Sequence, residues 1–255
     1  MRNEEGIFMK YNIRKFAEGL DRLGYQLDDR QYRQFLTFYD MLTEKNRVMN
    51  LTAITDYEEV VSKHFLDSLS ISNVCSKFKG KLLDLGTGAG FPGIPLKIAY
   101  PDLQITLVDS LNKRVRFLEE VIDALELKKI IAVHGRAEEL ARQKEYRESY
   151  RYVVSRAVAN ISTLSEYCLP FVEVGGDFIA YKSGQIEEEL SDGKYGIKLL
   201  GGRIERLEQF TLPDTDVSRS LVLIRKIGKT PKTYPRKAGT PAREPLGRNN
   251  NASSK

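Results

Sequence analysis

The amino-acid sequence predicts an α/β protein in which helices cover both faces of a mostly parallel, seven-stranded β-sheet. Three observations support this fold class. Short apolar runs without helical spacing alternate with stretches of helical periodicity, as expected where strands are buried on both faces. The first of these runs passes directly into a glycine-rich turn. The last two are joined by a short polar link, which is typical of an antiparallel hairpin.

A helical extension over residues 1–79 precedes the sheet domain, for which we predict residues 80–228. Phe16 and Leu20 are spaced for one helix, and Gly24 can terminate it. A second helix is predicted from a stripe at i, i+3, i+4 and i+7 spacing, formed by Tyr32, Phe35, Leu36, Tyr39 and Leu42. We expect this stripe to be core and the extension to pack on the sheet domain.

The first apolar run of the sheet ends in an acid and then in alternating glycines. Gly86, Gly88 and Gly90 allow a tight turn that brings backbone N–H groups against a ligand. The spacing of Gly88, Gly90 and Gly93 also fits the GxGxxG fingerprint of a dinucleotide fold. Asp84 favours S-adenosylmethionine as the cofactor, because a carboxylate here can meet the methionine ammonium group but would repel a pyrophosphate.

The second and third strands are each followed by residues suited to a nucleoside. Ile105–Asp109 ends in Asp109, which can accept hydrogen bonds from both ribose hydroxyls. Dinucleotide and S-adenosylmethionine sites share this feature, so it predicts nucleoside binding without deciding the cofactor. After the third strand, Ile130–Val133, the backbone N–H of Ala137 and the carboxylate of Glu138 are placed to read an adenine edge.

The fourth strand, Tyr152–Ser155, is followed by Arg156. Ligands of open α/β sheets lie outside the carboxyl ends of the strands, so we predict that Arg156 is the charge nearest the chemistry. Upstream, a third helix capped at Asp56 carries His64 and Asp67 on one face. His64 is either a structural hydrogen-bonding residue or part of the site, and the sequence leaves both interpretations open.

The end of the chain decides between the two nucleoside folds. Phe178–Tyr181 is the predicted fifth strand, and Ile204–Leu212 and Ser220–Ile227 read as a hairpin joined at residues 213–216. A parallel sheet completed by a C-terminal antiparallel strand is the mark of the Rossmann-like class I S-adenosylmethionine-dependent methyltransferases, and not of dehydrogenases. We therefore predict that fold.

The net charge of +5 is unevenly distributed. Residues 225–255 hold nine basic residues against one acid, so the rest of the chain is slightly acidic. We expect residues 229–255 to form a basic, flexible tail, with the alternative that 229–246 lies along phosphates. The candidate RNA-binding residues lie on the helix after strand two, after strand five and in the tail: Lys113, Arg114, Arg116, Lys182, Lys232, Arg236 and Lys237.

Composition narrows the compartment and the ligands. Two cysteines, no charged-then-apolar leader before Met9 and no apolar run near the roughly 18 residues of a membrane span predict a cytoplasmic protein without disulfides. We expect a monomer that needs no metal. The sequence also has no Asn-Pro-Pro-Tyr or Asp-Pro-Pro-Tyr run to grip an exocyclic amine, and no Pro-Cys suited to attack on a pyrimidine.

A set of motifs in one order resembles a known family. They are Asn50-Leu51-Thr52, His64-Phe65-Leu66-Asp67-Ser68, the GTGAGFPGIPL run, Leu107-Val108-Asp109-Ser110, the KRVRFL helix and Ser155-Arg156-Ala157. Together they resemble the bacterial small-subunit ribosomal RNA guanine-N7 methyltransferases, the RsmG family (also GidB, glucose-inhibited division protein B). The resemblance runs from about Asn46 to Ile227. The stretch Tyr181-Lys182-Ser183-Gly184 departs from the tighter Lys-Gly form of the family.

The resemblance implies methyl transfer from S-adenosylmethionine to guanine N7 in 16S ribosomal RNA of the small subunit. It implies that Gly86, Phe91, Ala137, Glu138 and Arg156 hold the cofactor. Guanine N7 has a free lone pair and no proton to lose, so we expect no general base and predict that Arg156 and His64 position the substrate. The alternatives are a methyltransferase of a small molecule or protein and a non-catalytic nucleotide-binding regulator.

Overall fold

The structure is a computed structural model, which describes residues 11–75, 77–157 and 159–247. Its seven strands are β1 (Lys81–Leu85), β2 (Gln104–Asp109), β3 (Ile130–His134), β4 (Tyr150–Ser155), β5 (Val172–Ser183), β6 (Gly202–Thr211) and β7 (Ser218–Lys226). Its α-helices are α1 (Arg14–Arg22), α2 (Asp29–Met49), α3 (Tyr57–Val60), α4 (Asp67–Leu69), α5 (Gly93–Ala99), α6 (Asn112–Ala124), α7 (Ala137–Leu140), α8 (Ile161–Cys168), α9 (Glu187–Leu199) and α10 (Thr240–Arg243). Three further helical turns are Val61–Leu66, Ser70–Asn73 and Leu169–Phe171.

The strands form one sheet in the order β3-β2-β1-β4-β5-β7-β6. Strands β1 to β5 are parallel to one another, and β7 runs antiparallel to both β5 and β6. The chain reverses direction across the sheet between β1 and β4, so the carboxyl ends of these two strands flank the crevice where ligands of such sheets bind. The predicted fold class is confirmed.

Strand β5 begins earlier than the sequence predicts. It starts at Val172 instead of Phe178 and includes Gly175 and Gly176. The glycines form an irregularity within the strand, where the register against β4 shifts between Tyr150 and Tyr152. Gly175 has φ +89°, which glycine adopts without strain. The sequence pattern indicates a break here because glycine is common both at strand ends and at bulges.

The N-terminal helices form a layer on one face of the sheet. Phe16 of α1 and Phe35 of α2 share one buried cluster with Leu82 of β1 and Val154 of β4. The ring of Phe65 lies between the layers, with its centroid 4.9 Å from that of Phe35. The predicted aromatic stripe therefore supplies core residues, and the extension and the sheet share a single hydrophobic core on this face.

The third helical segment changes its winding in the middle. Asp56 caps it by accepting a hydrogen bond from the Glu59 N–H, as predicted. After α3 the backbone forms a π-helical turn over Val61–Leu66 before α4 begins at Asp67. One extra residue in the turn rotates the side chains that follow, and such π-turns are frequent at functional sites.

The opposite face of the sheet is covered by α8, α9 and the chain that follows β7. Leu246 belongs to the same buried cluster as Phe171 and Phe178. Residues 229–247 thus pack on the body, which corrects the prediction of a flexible tail for this part; residues 248–255 lie outside the described residues. No helix in the described ranges is long and apolar enough to cross a membrane.

Candidate active site

The glycine-rich turn follows β1 with a backbone that only glycine adopts readily. Gly86, Gly88 and Gly90 have φ values of +72°, +62° and +103°. The turn is closed tightly, since a Cβ placed on Gly93 would lie 2.2 Å from Leu107 Cδ2. Glycine at these positions therefore allows both the turn and the close approach of α5 to the sheet.

Asp84 stabilises this turn through two hydrogen bonds. Its Oδ2 accepts hydrogen bonds from Thr87 Oγ1 at 2.6 Å and from the Gly93 N–H at 2.8 Å. The side chain is fully buried, and burial raises the pKa of Asp84 to about 7. Oδ1 has no hydrogen-bond partner among the described residues. The observed role of Asp84 is to hold the loop, and its contact with a cofactor ammonium group stays a prediction.

A cavity of 460 Å³ opens between the glycine turn and the ends of β2 and β3; we call it the glycine-loop cavity. Four predicted cofactor residues line it together: Gly86, Asp109, Ala137 and Glu138. Its other walls come from β4 and the chain just after it, from α8 and from the C-terminal segment: Ser155, Ala157, Leu164, Tyr167 and Gly239. The cavity is also lined by residues next to the glycine turn, β2 and β3: Leu85, Val108, Ser110, Arg114, Gly135 and Arg136. The structure therefore assembles the site that three separate strand ends predict.

Asp109 is held in place by the backbone. Its Oδ2 accepts from the Gly88 N–H at 3.0 Å and its Oδ1 from the Leu111 N–H at 2.9 Å. Arg114 reaches back from α6 to within 3.5 Å of Asp109 Oδ2 and lines the same cavity. Arg114 therefore faces this cavity, whereas Lys113 and Arg116 on the same helix are exposed.

The glycine-loop cavity fits S-adenosylmethionine. Gly86 has a positive φ and no side chain, so its backbone is accessible at the cavity wall. A Cβ placed on Gly86 would lie 3.8 Å from Ala157 Cβ. Glu138 is only 8 % exposed, yet only its Oε1 is hydrogen-bonded, so Oε2 is open to a ligand within the described part of the chain. Gly86, Asp109, Ala137 and Glu138 would hold the nucleoside, which offers hydroxyl and amine donors to the two carboxylates.

A second cavity of 590 Å³ adjoins the first, and Ala157 lines both; we call it the Arg156 cavity. Asp67 lies in its wall with a side chain only 2 % exposed. Its Oδ2 accepts from Arg156 Nη1 at 2.9 Å and its Oδ1 from Arg219 Nε at 3.0 Å. One buried carboxylate thus orients two guanidinium groups that face the cavity.

His64 stands in the wall of the Arg156 cavity as a neutral side chain. His64 Nδ1 lies 3.2 Å from Arg156 Nη2 and 3.1 Å from the Lys63 carbonyl oxygen. Because a guanidinium can only donate, the contact with Arg156 is a hydrogen bond in the tautomer that carries its proton on Nε2, which is 2.9 Å from Thr52 Oγ1. Burial and then the charge of Arg156 lower the pKa of His64 to about 3. This arrangement favours the positioning interpretation of His64 over proton transfer.

Phe91 follows the glycine turn and contacts two residues of the Arg156 cavity, but it lines neither cavity. Its ring stacks on the His64 ring with 4.6 Å between centroids, and the guanidinium carbon of Arg156 lies 5.0 Å from its centroid. The implied contact of Phe91 with a cofactor stays a prediction, since in the structure the ring supports His64 and Arg156.

Lys182 also faces the Arg156 cavity but is already paired. Its Nζ donates to the Ala159 carbonyl at 2.6 Å and lies 2.8 Å from Glu189 Oε1. Arg236 is paired more completely: its guanidinium meets the buried carboxylate of Glu166, with Nη2 2.7 Å from Oε2. Arg236 is therefore held by Glu166 inside the protein, and its assignment as an RNA ligand stays a prediction. Lys232 and Lys237 are exposed.

Sequence reasoning missed two side-chain partners at the Arg156 cavity. Arg219 is the second residue of β7, 152 residues from its partner Asp67, and no local pattern distinguishes it from other basic residues of the hairpin. Thr52 does not line the cavity; it belongs to a sequence motif, but its hydrogen bond to His64 depends on the fold. A search for metal ligands among the described residues finds no group of three or more His, Cys, Asp or Glu side chains suited to an ion.

The strand order, the glycine turn after β1 and the carboxylates after β2 and β3 define a class I S-adenosylmethionine-dependent methyltransferase. The family model for rRNA small subunit methyltransferase G, or GidB, matches residues 31–222. The chain belongs to this family. Among solved structures, a mutant of MtNAS has a TM-score of 0.51 at 15 % identity, over 83 % of this chain and 78 % of that one, which shows a common fold.

Proteins similar over nearly their whole length carry the same family name. A "Ribosomal RNA small subunit methyltransferase G" of Lachnoclostridium phytofermentans is 57 % identical over 232 residues, covering 91 % of this chain and 96 % of that protein. The one from Alkaliphilus metalliredigens is 52 % identical over 230 residues, covering 90 % and 96 %. The family match ends at residue 222, before the C-terminal segment begins.

Proposed function

We propose that the protein transfers a methyl group from S-adenosylmethionine to N7 of one guanine in 16S ribosomal RNA of the small subunit. The observation that carries the proposal is the junction of two cavities at Ala157, one with nucleoside-binding residues and one with cationic walls. The names of the relatives supply the substrate class. We further propose that the enzyme acts as a monomer in the cytoplasm, where small subunits are assembled.

The cofactor, when bound, supplies a methyl group on a sulfonium centre, which a nitrogen lone pair can attack in line. Guanine N7 has such a lone pair and no proton to remove. The chain therefore needs residues that orient the base and exclude water, and positioning of this kind can contribute roughly 7 to 11 kcal/mol to the lowering of a barrier. Arg156 and its neighbours in the cavity are suited to that role.

His64 supports this mechanism by remaining neutral. With its pKa lowered to about 3, the imidazole is neutral at physiological pH, and in the tautomer protonated on Nε2 its Nδ1 accepts from Arg156. A general base near pH 7 would need a pKa close to the working pH. We infer that His64 and Phe91 fix the plane of the Arg156 guanidinium.

The walls of the Arg156 cavity are suited to a polyanion. Their charged groups are four cations and two acids: Lys63, Arg156, Lys182 and Arg219 against Asp67 and Glu189. Asp67 pairs with two arginines, so the three side chains together retain a net positive charge facing the cavity. RNA phosphates near the target base would be attracted by this charge.

The decisive experiment is methyl transfer from labelled S-adenosylmethionine to small ribosomal subunits that lack the modification, with naked 16S RNA in parallel. Borohydride and aniline cleave RNA at N7-methylguanine, so a single cleavage site would identify the base and the atom. Label in protein, in small molecules or at several bases would contradict the proposal. Cofactor binding without label in either RNA would retain the methyltransferase fold and reject the ribosomal substrate.

A further inference from the structure

The segment after β7 reaches the glycine-loop cavity. We call residues 229–247 the C-terminal strap. It lies beyond the family match, which ends at residue 222. Gly239 of the strap is part of the cavity wall, together with Glu138 and Tyr167. The strap therefore supplies a wall of the proposed cofactor site from outside the residues that the family model matches.

The strap is anchored before it reaches the cavity. Arg147 Nη2 donates to the Thr230 carbonyl at 2.9 Å, and its Nη1 donates to the Tyr234 carbonyl at 3.0 Å. Arg236 then donates to Glu166 Oε1 from its backbone N–H at 2.8 Å and from Nε at 3.0 Å. Glu166 is completely buried, so this ion pair fixes the strap three residues before Gly239 in the cavity wall.

The strap is also anchored after the cavity. Thr163 Oγ1 of α8 donates to the Pro241 carbonyl at 3.1 Å. Leu246 packs so closely on α9 that a Cβ placed on Gly196 would lie 2.6 Å from the Leu246 carbonyl oxygen. Gly239 is thus held on both sides, and its φ of +80° is one that glycine adopts without strain.

The contact at the cavity is a single hydrogen bond to the predicted adenine-reading residue. The Gly239 N–H donates to Glu138 Oε1 at 2.9 Å. This bond leaves Oε2 open, because no described residue hydrogen-bonds that oxygen. A carboxylate held at one oxygen has a defined plane, so its other oxygen presents its lone pairs in a defined direction.

We propose that the C-terminal strap is part of the cofactor site, with Gly239 as a positioning residue that orients Glu138 toward the adenine amine. The inference rests on the proposed assignment of this cavity to S-adenosylmethionine. Arg236 and Glu166 act through Gly239, since neither lines the cavity. The strap thereby sets both the affinity for the cofactor and the preference for adenine over a base that presents a carbonyl at the same position.

Binding and strap docking must then be coupled in both directions. If docking of the strap strengthens ligand binding by some factor, binding strengthens docking by the same factor. In the full-length wild-type protein, S-adenosylhomocysteine should slow hydrogen exchange of the amides of residues 236–243 by about fivefold or more. The Thr230 amide, which donates to Glu148 away from the cavity, is the internal control and should change little.

Base selectivity gives a readout that general destabilisation would not change. Calorimetry would compare S-adenosylhomocysteine with S-inosylhomocysteine, in which a carbonyl replaces the adenine amine. In Arg236→Ala the ratio of the two affinities should fall by about fivefold or more, and Arg236→Lys should recover part of it. Lys232→Ala removes an exposed cation from the same strap and should leave the ratio unchanged.

Three results would overturn the inference. One is unchanged exchange of residues 236–243 when the wild type binds S-adenosylhomocysteine; this alone decides the case if Arg236→Ala does not fold. Another is an unchanged affinity ratio in a folded Arg236→Ala protein. Either leaves the proposed function intact. Failure of the wild type to bind S-adenosylhomocysteine at all would reject the cofactor assignment and the inference with it.

Discussion

The two cavities at the carboxyl ends of the strands are assembled in different ways. The glycine-loop cavity takes Gly86, Asp109 and Glu138 from chain just after β1, β2 and β3, so each arrives with its own local motif. The Arg156 cavity joins Asp67 to Arg219, which are 152 residues apart. The comparison shows that a cofactor site can be encoded locally while the adjoining substrate site depends on the completed sheet.

The two cavities also stabilise their carboxylates differently. Asp109 is held by backbone N–H groups of the loops around it. Asp67 is held by two guanidinium groups from β4 and β7. Changes in the second cavity should therefore affect stability and substrate binding together, whereas changes around the glycine loop should act mainly through loop geometry and cofactor affinity.

The largest effect is expected for Asp67→Asn. Loss of the shared carboxylate leaves Arg156 and Arg219 without a counter-charge, and breaking a buried ion pair costs about 3 kcal/mol or more in free energy of unfolding. Methyl transfer to RNA should fall steeply while affinity for S-adenosylhomocysteine changes little. Urea denaturation and calorimetry would measure the two effects. Glu59→Gln, which breaks an exposed ion pair with Lys63, is the control and should cost less than about 1 kcal/mol.

A slightly smaller effect is expected for Gly93→Ala. The added Cβ would lie 2.2 Å from Leu107 Cδ2 and 2.7 Å from Asp84 Oδ2, so the loop must shift. Overpacking of this kind costs about 1–3 kcal/mol in unfolding free energy, and here affinity for S-adenosylhomocysteine should fall as well. The matched control is Gly88→Ala, whose Cβ meets no atom within 4 Å and which should cost only about 1 kcal/mol from its φ of +62°. Equal losses in both variants would contradict the explanation by close packing.

His64→Gln tests the neutral histidine through pH. Because the pKa of His64 falls from 6.5 to about 3 on folding, the unfolded chain binds more protons between these values. The contribution of His64 to stability is therefore complete above pH 6.5 and is lost as pH falls toward 3. The variant should lose less stability than the wild type on acidification, by at most about 1.4 kcal/mol per pH unit. The measurement is urea denaturation of both proteins at several pH values.

The same variant separates positioning from proton transfer. Gln can still accept from Arg156, so we expect a moderate loss of rate with no change in the shape of its pH profile. A wild-type rate that follows one titration near pH 6.5 and loses that dependence in His64→Gln would instead assign a proton-transfer role to the imidazole.

The smallest effect is expected on the exposed face of α6. Lys113 and Arg116 are exposed, whereas Arg114 faces the glycine-loop cavity. If each of the two exposed residues contacts one phosphate, the double variant Lys113→Ala with Arg116→Ala should reduce the salt slope of RNA binding by about 1 to 2. Filter binding over a range of salt concentrations measures this slope. An unchanged slope would show that neither Lys113 nor Arg116 contacts a phosphate.

Most of the fold could be predicted because its signals are local. Buried strands appear as short apolar runs, and the turn after β1 requires glycine wherever φ is positive. The predicted start of β5 was wrong because a glycine bulge and a strand end have the same sequence pattern. The prediction of a flexible tail is wrong for the strap. Prolines and basic residues suggest solvation, and Glu166, the partner of Arg236, is far away in sequence.

The order of the elements, the glycine turn and the residues at the ends of β1, β2 and β3 can be predicted from the amino-acid sequence, since these depend on backbone conformation and side-chain periodicity within a few residues. The pairing of Asp67 with Arg156 and Arg219, the neutral state of His64 and the contact of Gly239 with Glu138 are visible only in the folded protein. These contacts join residues that are far apart along the chain, and they gain their energy from burial and charge pairing, which exist only once the sheet has brought remote segments together.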